Sequence, residues 1–281
     1  MKDQITQIVT DAVKAMLYEV SVNPKPGLVD PLSSGPHADM DVFLFIDSAE
    51  SLRPYLQQCA QAGLTAQSTA LPQLFHQLRS YGIQAEQTML RQTRGVNTHK
   101  GAIFSLGIAV AARAYLIDRP QSGFSKVVQG MLVDLLTTDF SQVASLPSEQ
   151  LTAGQREFQQ YHLTGARGEA AAGFPTVVNW GLPMLRQATG TLNERLLDTL
   201  MIIAGHSQDS NLVHRAQDPQ ILTWIQNQVE QYFVLGGSQT AQGKQFLQKL
   251  NAEFDRRQLS LGGSADLLIV TIFMALQTGI L

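Results

Sequence analysis

Apolar residues recur at helical spacing from one end of this chain to the other. Ile5, Ile8, Val9, Ala12, Val13, Met16, Leu17 and Val20 share a helical face. Leu74, Leu78, Tyr81, Ala85 and Met89 repeat the pattern, followed by Ile103, Leu106, Gly107, Val110 and Ala114, and by Val127, Met131, Leu135 and Phe140. Further helices are expected over 177–187, 193–205, 222–235, 241–254 and 265–279. Valine- and isoleucine-rich alternation with hairpin turns is nearly absent. This pattern predicts an all-α protein. Its 281 residues, 44% of them hydrophobic, are enough for a substantial core. No shift in composition marks a boundary, so residues 1–281 are expected to form a single compact multi-helix domain.

Composition excludes several classes. Charged residues make up only 15% of the chain, which argues against a solvated tail. The formal net charge of −3 argues against nucleic acid held on a broad basic face. The single cysteine, Cys59, allows no internal disulfide and no cysteine-rich zinc site, and its apolar setting predicts a buried hydrophobe. The run Leu267–Leu276 is apolar apart from Thr271, but shorter than the roughly 20 residues a bilayer demands. It is expected to be a core helix. No signal-peptide core is seen in Met1–Lys14. A cytoplasmic protein that binds no membrane is expected.

Polar residues gather in five clusters that interrupt the helices. One is a proline-stiffened loop running from Asn23 through Lys25 to His37, followed by Asp39 and Asp41. A second begins near Glu86 and ends in Thr93–Gly101, where Asn97 or Thr98 can cap the next helix and Lys100 sits in its first turn. Such a helix start suits a phosphate. The third contains Arg167 and Glu169, ahead of Gly173-Phe174-Pro175; the fourth runs from His206 through Asp209 and Asn211 to His214 and Arg215. The fifth is Gly262-Gly263-Ser264-Ala265-Asp266. Each alone reads as a cap, a turn or a solvated pair. Together they predict helix ends converging on one inter-helical polar active-site pocket. Carboxylates with asparagine and few histidines suit Mg²⁺. No P-loop, Gly-x-Ser-x-Gly elbow or His-Glu-x-x-His helix is present.

Read in order, the strings resemble the triphosphoribosyl-dephospho-CoA synthase family. They are Pro24-Lys25-Pro26-Gly27-Leu28-Val29-Asp30, Asp39-Met40-Asp41, Val96-Asn97-Thr98-His99-Lys100-Gly101, Arg167-Gly168-Glu169 with Gly173-Phe174-Pro175, Asp209-Ser210-Asn211, and Gly262-Gly263-Ser264-Ala265-Asp266. Three positions depart from the family's usual residues: Arg94 for glycine, Ser210 for threonine and Leu261 for proline.

The resemblance implies a transferase using ATP and 3′-dephospho-CoA. The ribose 2′-hydroxyl of dephospho-CoA would attack the anomeric carbon of the ATP ribose, and adenine would leave. The product, 2′-(5″-triphosphoribosyl)-3′-dephospho-CoA, would pass to a transferase that loads the acyl-carrier subunit of citrate lyase, or of malonate decarboxylase in a related branch. Asp39, Asp41, Glu86 and Asp209 are the expected catalytic residues, and Asp41, Glu86, Asp209 and Asp266 the expected Mg²⁺ ligands. Lys25, Asn97, His99, Lys100, Arg167, Glu169, Asn211, His214 and Arg215 are expected to bind the nucleotides. The apolar surfaces of the long helices suit a homodimer. The residues alone also fit an all-α, Mg²⁺-dependent nucleotide phosphohydrolase or a non-catalytic helical module.

Overall fold

The computed structural model describes residues 2–281 apart from 142, 144–146, 148 and 150. Among the described residues there are α-helices and short helical turns and no strand. The long helices of the first part are α1 (Lys2–Ser21), α2 (Val42–Ser51), α3 (Arg53–Thr65), α4 (Leu71–Gln92) and α5 (Lys100–Tyr115). Shorter helices follow: α6 (Phe124–Met131), α7 (Leu135–Phe140), α8 (Ala153–Tyr161), α9 (Gly165–Ala171) and α10 (Leu182–Gln187). The chain then forms α11 (Leu192–His206), α12 (Ser210–Ala216), α13 (Ile221–Val234), α14 (Ala241–Arg257) and α15 (Gly262–Gln277).

Two helices form the centre. α5 and α15 are apolar nearly all round, and they pack on each other. A helix without a polar face must be buried on all sides. Accordingly α1, α3 and α4 surround α5, while α1 and α11 pack on α15. The run Leu267–Leu276 is therefore a core helix, and Thr271 donates to the Leu267 carbonyl at 2.8 Å. Cys59 is fully buried. No helix is long and apolar enough to cross a membrane among the described residues.

Local departures from the periodic pattern have local causes. Val127–Phe140 reads as one helical stretch but is two helices, broken between Met131 and Leu135. The stretch 177–187 begins with a π turn, Val177–Gly181, before α10. It follows a left-handed pair, Gly173 at φ +83° and Phe174 at φ +58°. That bend sends the Phe174 ring into the core, where it stacks on Phe124.

The proline-stiffened loop has a fixed shape. Asp30 accepts N–H bonds from Leu32, Ser33 and Lys25 at 2.8–3.2 Å. Asn193 of α11 exchanges two bonds with the Asn23 backbone, at 2.7 and 2.9 Å.

Candidate active site

The starts of α5, α9, α12 and α15 face one cavity of about 570 Å³. Its wall carries Asn97, Lys100, Arg167, Glu169, Asp209, Asn211 and Asp266, so residues from four of the polar clusters are brought together. A second cavity of about 810 Å³ adjoins it across Asn97, Gly154, Ser210 and Asn211 and includes His214 and Arg215. A third, of about 350 Å³, adjoins it at Lys100, Gly101, Ala166 and Arg167 and includes Glu86.

Asp209 builds the floor. It caps α12, its Oδ1 accepting from the Asn211 and Leu212 N–H groups at 3.0 and 3.1 Å. The same carboxylate reaches the start of α15: Gly263 N–H donates to Oδ1 at 3.2 Å, and Ser264 N–H and hydroxyl both donate to Oδ2 at 2.8 Å. Orphan N–H groups at two helix starts are thus satisfied by one side chain. Gly263 permits this approach, because a β-carbon there would lie 2.8 Å from Oδ1. Burial raises the Asp209 carboxyl above its ordinary range, against the pull of these donors.

Asp266 differs. Its carboxylate has no hydrogen-bond partner among the described residues, and it lines both the main cavity and a small inner one of about 100 Å³. Its pKa is pushed well above the usual range by burial, and then by repulsion from Asp209 and Glu19.

The cations at the cavity are held by acids. Lys100 Nζ lies 2.5 Å from Glu86 and stays largely exposed, while its N–H donates to Asn97 Oδ1 at 3.2 Å. So Asn97, and not Thr98, satisfies that start of α5; Thr98 donates to the Ser48 hydroxyl instead. Arg167 Nε donates to Asp139 at 2.7 Å, and Arg79 takes the other oxygen at 2.6 Å. Burial alone would raise Asp139, but the two guanidiniums bring it below the usual carboxylate range. Glu169 is occupied with Thr176, accepting from its N–H at 2.7 Å and its hydroxyl at 3.0 Å, so it is not paired with Arg167. Burial raises its pKa despite these bonds. His214 meets Glu157 at 3.0 Å and Arg215 meets His37 at 3.2 Å.

Other expected residues stand apart from the main cavity. Asp39 and Asp41 are exposed, and Asp41 caps α2 by accepting from Leu44 N–H at 2.8 Å. Lys25 is buried, with its ammonium on the Glu19 carboxylate and, at 2.7 Å, on the Glu19 carbonyl. His99 is buried too: Nδ1 meets the Ser48 hydroxyl at 2.8 Å and Nε2 has no partner. It lines the inner cavity, and burial, then Lys25, lower its pKa to about 3.

The cavity also carries Trp180, Thr176 and His206, none of them among the expected site residues. Ser264 belongs to the Gly-Gly-Ser-Ala-Asp string, and spacing alone does not place it beneath Asp209.

A family model described as ATP:dephospho-CoA triphosphoribosyl transferase (CitG) matches residues 5–280. The chain belongs to this family. It is an enzyme, a transferase of the triphosphoribosyl-dephospho-CoA synthase type. It is 53% identical over 274 residues to a probable 2-(5″-triphosphoribosyl)-3′-dephosphocoenzyme-A synthase of Lactiplantibacillus plantarum, covering 98% of both chains. A probable synthase of the same name from Streptococcus equi is 36% identical, with 94% of both chains covered. Protein CitXG of Leuconostoc mesenteroides is 48% identical, over 98% of this chain and 60% of that protein. No solved structure matches the chain.

Membership accounts for the ordered strings, and the fold gives the Arg94 departure a backbone meaning. Arg94 is exposed and left-handed, at φ +56°, directly before Gly95 at φ +92°. That is a conformation glycine adopts without strain. Leu261 is wholly buried ahead of α15, and Ser210 begins α12 on the cavity wall.

Proposed function

We propose that the chain joins ATP to 3′-dephospho-CoA, releasing adenine, and that the main cavity is where the two substrates meet. The observation that supports this most is that Asn97, Lys100, Gly101, Arg167, Asp209 and Asp266, drawn from the strings typical of the family, line one polar cavity. Its two adjoining cavities offer room for a second nucleotide.

In this reading a bond forms between the dephospho-CoA 2′-oxygen and the anomeric carbon of the ATP ribose. The bond from that carbon to adenine breaks, and the bonding pair leaves with the base. Positive charge grows on the sugar as it does in glycoside chemistry. Asp266 is the carboxylate placed to oppose that charge and to take the hydroxyl proton. Burial and its acidic neighbours raise its pKa, which makes its ionised form a stronger base. Asp209 holds the floor beneath it, since both its oxygens are already engaged. Lys100 and Arg167 provide positive charge for the triphosphate.

Mg²⁺ fits as an ion brought by the triphosphate. No three His, Cys, Asp or Glu side chains converge as a metal cluster among the described residues. Mg²⁺ commonly rests on one or two carboxylates together with substrate phosphates, and Glu86 at the cavity rim would serve with the Asn97 amide oxygen. When bound it would neutralise phosphate charge. The product would serve the acyl carrier of citrate lyase.

The test is incubation with ATP, Mg²⁺ and 3′-dephospho-CoA, with products resolved by chromatography and mass. Free adenine together with triphosphoribosylated dephospho-CoA is expected. ADP or phosphate without adenine would overturn the assignment in favour of a phosphohydrolase.

A further inference from the structure

An aromatic side chain exposed in a cleft offers a π-face on which a nucleobase can stack. Trp180 is such a side chain: it is 44% exposed and lines the main cavity. It stacks on His206, with ring centroids 3.5 Å apart and planes inclined by 24°. An indole backed on one face by an imidazole has its other face left for a flat partner.

The chain holds this pair in place from below. Glu169 grips the N–H and hydroxyl of Thr176, at the start of the π turn that carries Trp180. The Thr176 hydroxyl also lies 3.5 Å from the His206 carbonyl. Ser207, next to His206, meets the Ser264 hydroxyl at 3.2 Å, and Ser264 is bonded to Asp209. The π turn leaves Val177 and Gly181 buried while Asn179 and Trp180 stay exposed. Single π turns of this kind are frequent at functional sites.

We propose that Trp180, backed by His206, is the stacking platform for an adenine ring. The proposal rests on the reading that both substrates are adenine nucleotides. Adenine offers the flat π-face that an exposed indole recognises, and the phosphates extend toward Lys100 and Arg167. Either substrate brings an adenine, and kinetics tell the two apart.

The chain has two tryptophans, Trp180 and Trp224, so Trp224→Phe leaves Trp180 as the sole indole. In that variant adenosine and ATP should quench tryptophan fluorescence, while inorganic triphosphate should not. Trp180→Ala should raise KM about ten- to a hundredfold, the usual effect of losing a base-stacking aromatic. A rise for ATP assigns the platform to the departing base, and a rise for dephospho-CoA assigns it to the acceptor. Trp180→Phe should restore most of the loss, which a merely structural role would not require. Unchanged KM for both substrates in a folded Trp180→Ala protein, or equal quenching by triphosphate, overturns the proposal. If adenine is never released but ATP still quenches Trp180, the platform stands and the transferase assignment falls.

Discussion

The Asp266 carboxylate occupies the space that a β-carbon on Gly101 would need. Gly101 lies in the first turn of α5 and Asp266 one turn into α15, so the two central helices meet at the cavity over a missing side chain. Gly101→Ala should drive the carboxylate off its position with the helices intact. Small misplacement of a reacting group costs roughly a hundredfold in rate. We expect kcat for adenine release to fall by about that factor with little change in melting temperature. A fully active Gly101→Ala protein would remove Asp266 from the chemistry.

Asp209 predicts a different phenotype. Asp209→Ala uncaps α12 and leaves the Gly263 and Ser264 donors unpaired. A lost cap costs about 1 kcal/mol, and each buried unpaired donor roughly another 1–3 kcal/mol. Urea unfolding should show a loss of at least about 3 kcal/mol, with activity lost through the fold. Asp209→Asn keeps one carbonyl oxygen and should lie between the two.

Lys25 makes the converse prediction. Its ammonium and Glu19 are both buried, and burial raises the Glu19 carboxyl while Lys25 pulls it down. Lys25→Met leaves a buried carboxyl alone, at a cost of about 3–5 kcal/mol. The double variant Glu19→Leu with Lys25→Met should regain most of that stability. In the folded fraction KM for ATP should stay within twofold of wild type. A large KM rise with normal stability would return Lys25 to the phosphate site.

His99 sets an acid limb to stability. In the fold its pKa is held at about 3, against 6.5 ordinarily, so the folded chain refuses a proton that the unfolded chain accepts. Its stabilising effect is complete above pH 6.5 and is lost as pH falls toward 3, at up to about 1.4 kcal/mol per pH unit. His99→Gln should flatten that slope in urea melts between pH 7 and pH 4.5. An unchanged slope would show that His99 takes up a proton in the folded protein.

Arg94 supplies a gain. A non-glycine residue in the left-handed region is strained by about 1 kcal/mol. Arg94→Gly should raise stability by up to that amount, offset in part by the extra freedom of an unfolded glycine. Since Arg94 is exposed and does not line the main cavity, turnover should be unchanged. A marked change in KM for ATP would give it a phosphate contact after all.

The architecture was legible because its signal is periodic. Core positions such as Leu106, Val110 and Leu268 recur with the helix, and Asp266 and Asp209 are legible because charge is scarce in this chain and both fall in polar strings beside apolar helices. Pairing was not legible. Lys25 and Glu19 are six residues apart across a loop, and nothing in their spacing shows that they bury each other. Asp39 and Asp41 look like ligands, but polarity alone does not separate a cavity from the surface. Trp180 escaped because a π turn adds a residue to the helical count, and a period of 3.6 cannot foretell which side chain it turns outward.

The walls of the cavity come from the starts of α5, α9, α12 and α15, and Asp209 fastens two of them together. A chain folded only through α11 would have helices in plenty but neither of the carboxylates that close the floor. Such a chain lacks the floor of the main cavity. Substrate therefore selects the finished molecule, and by mass action its binding energy becomes stability for the whole chain and not for one local segment.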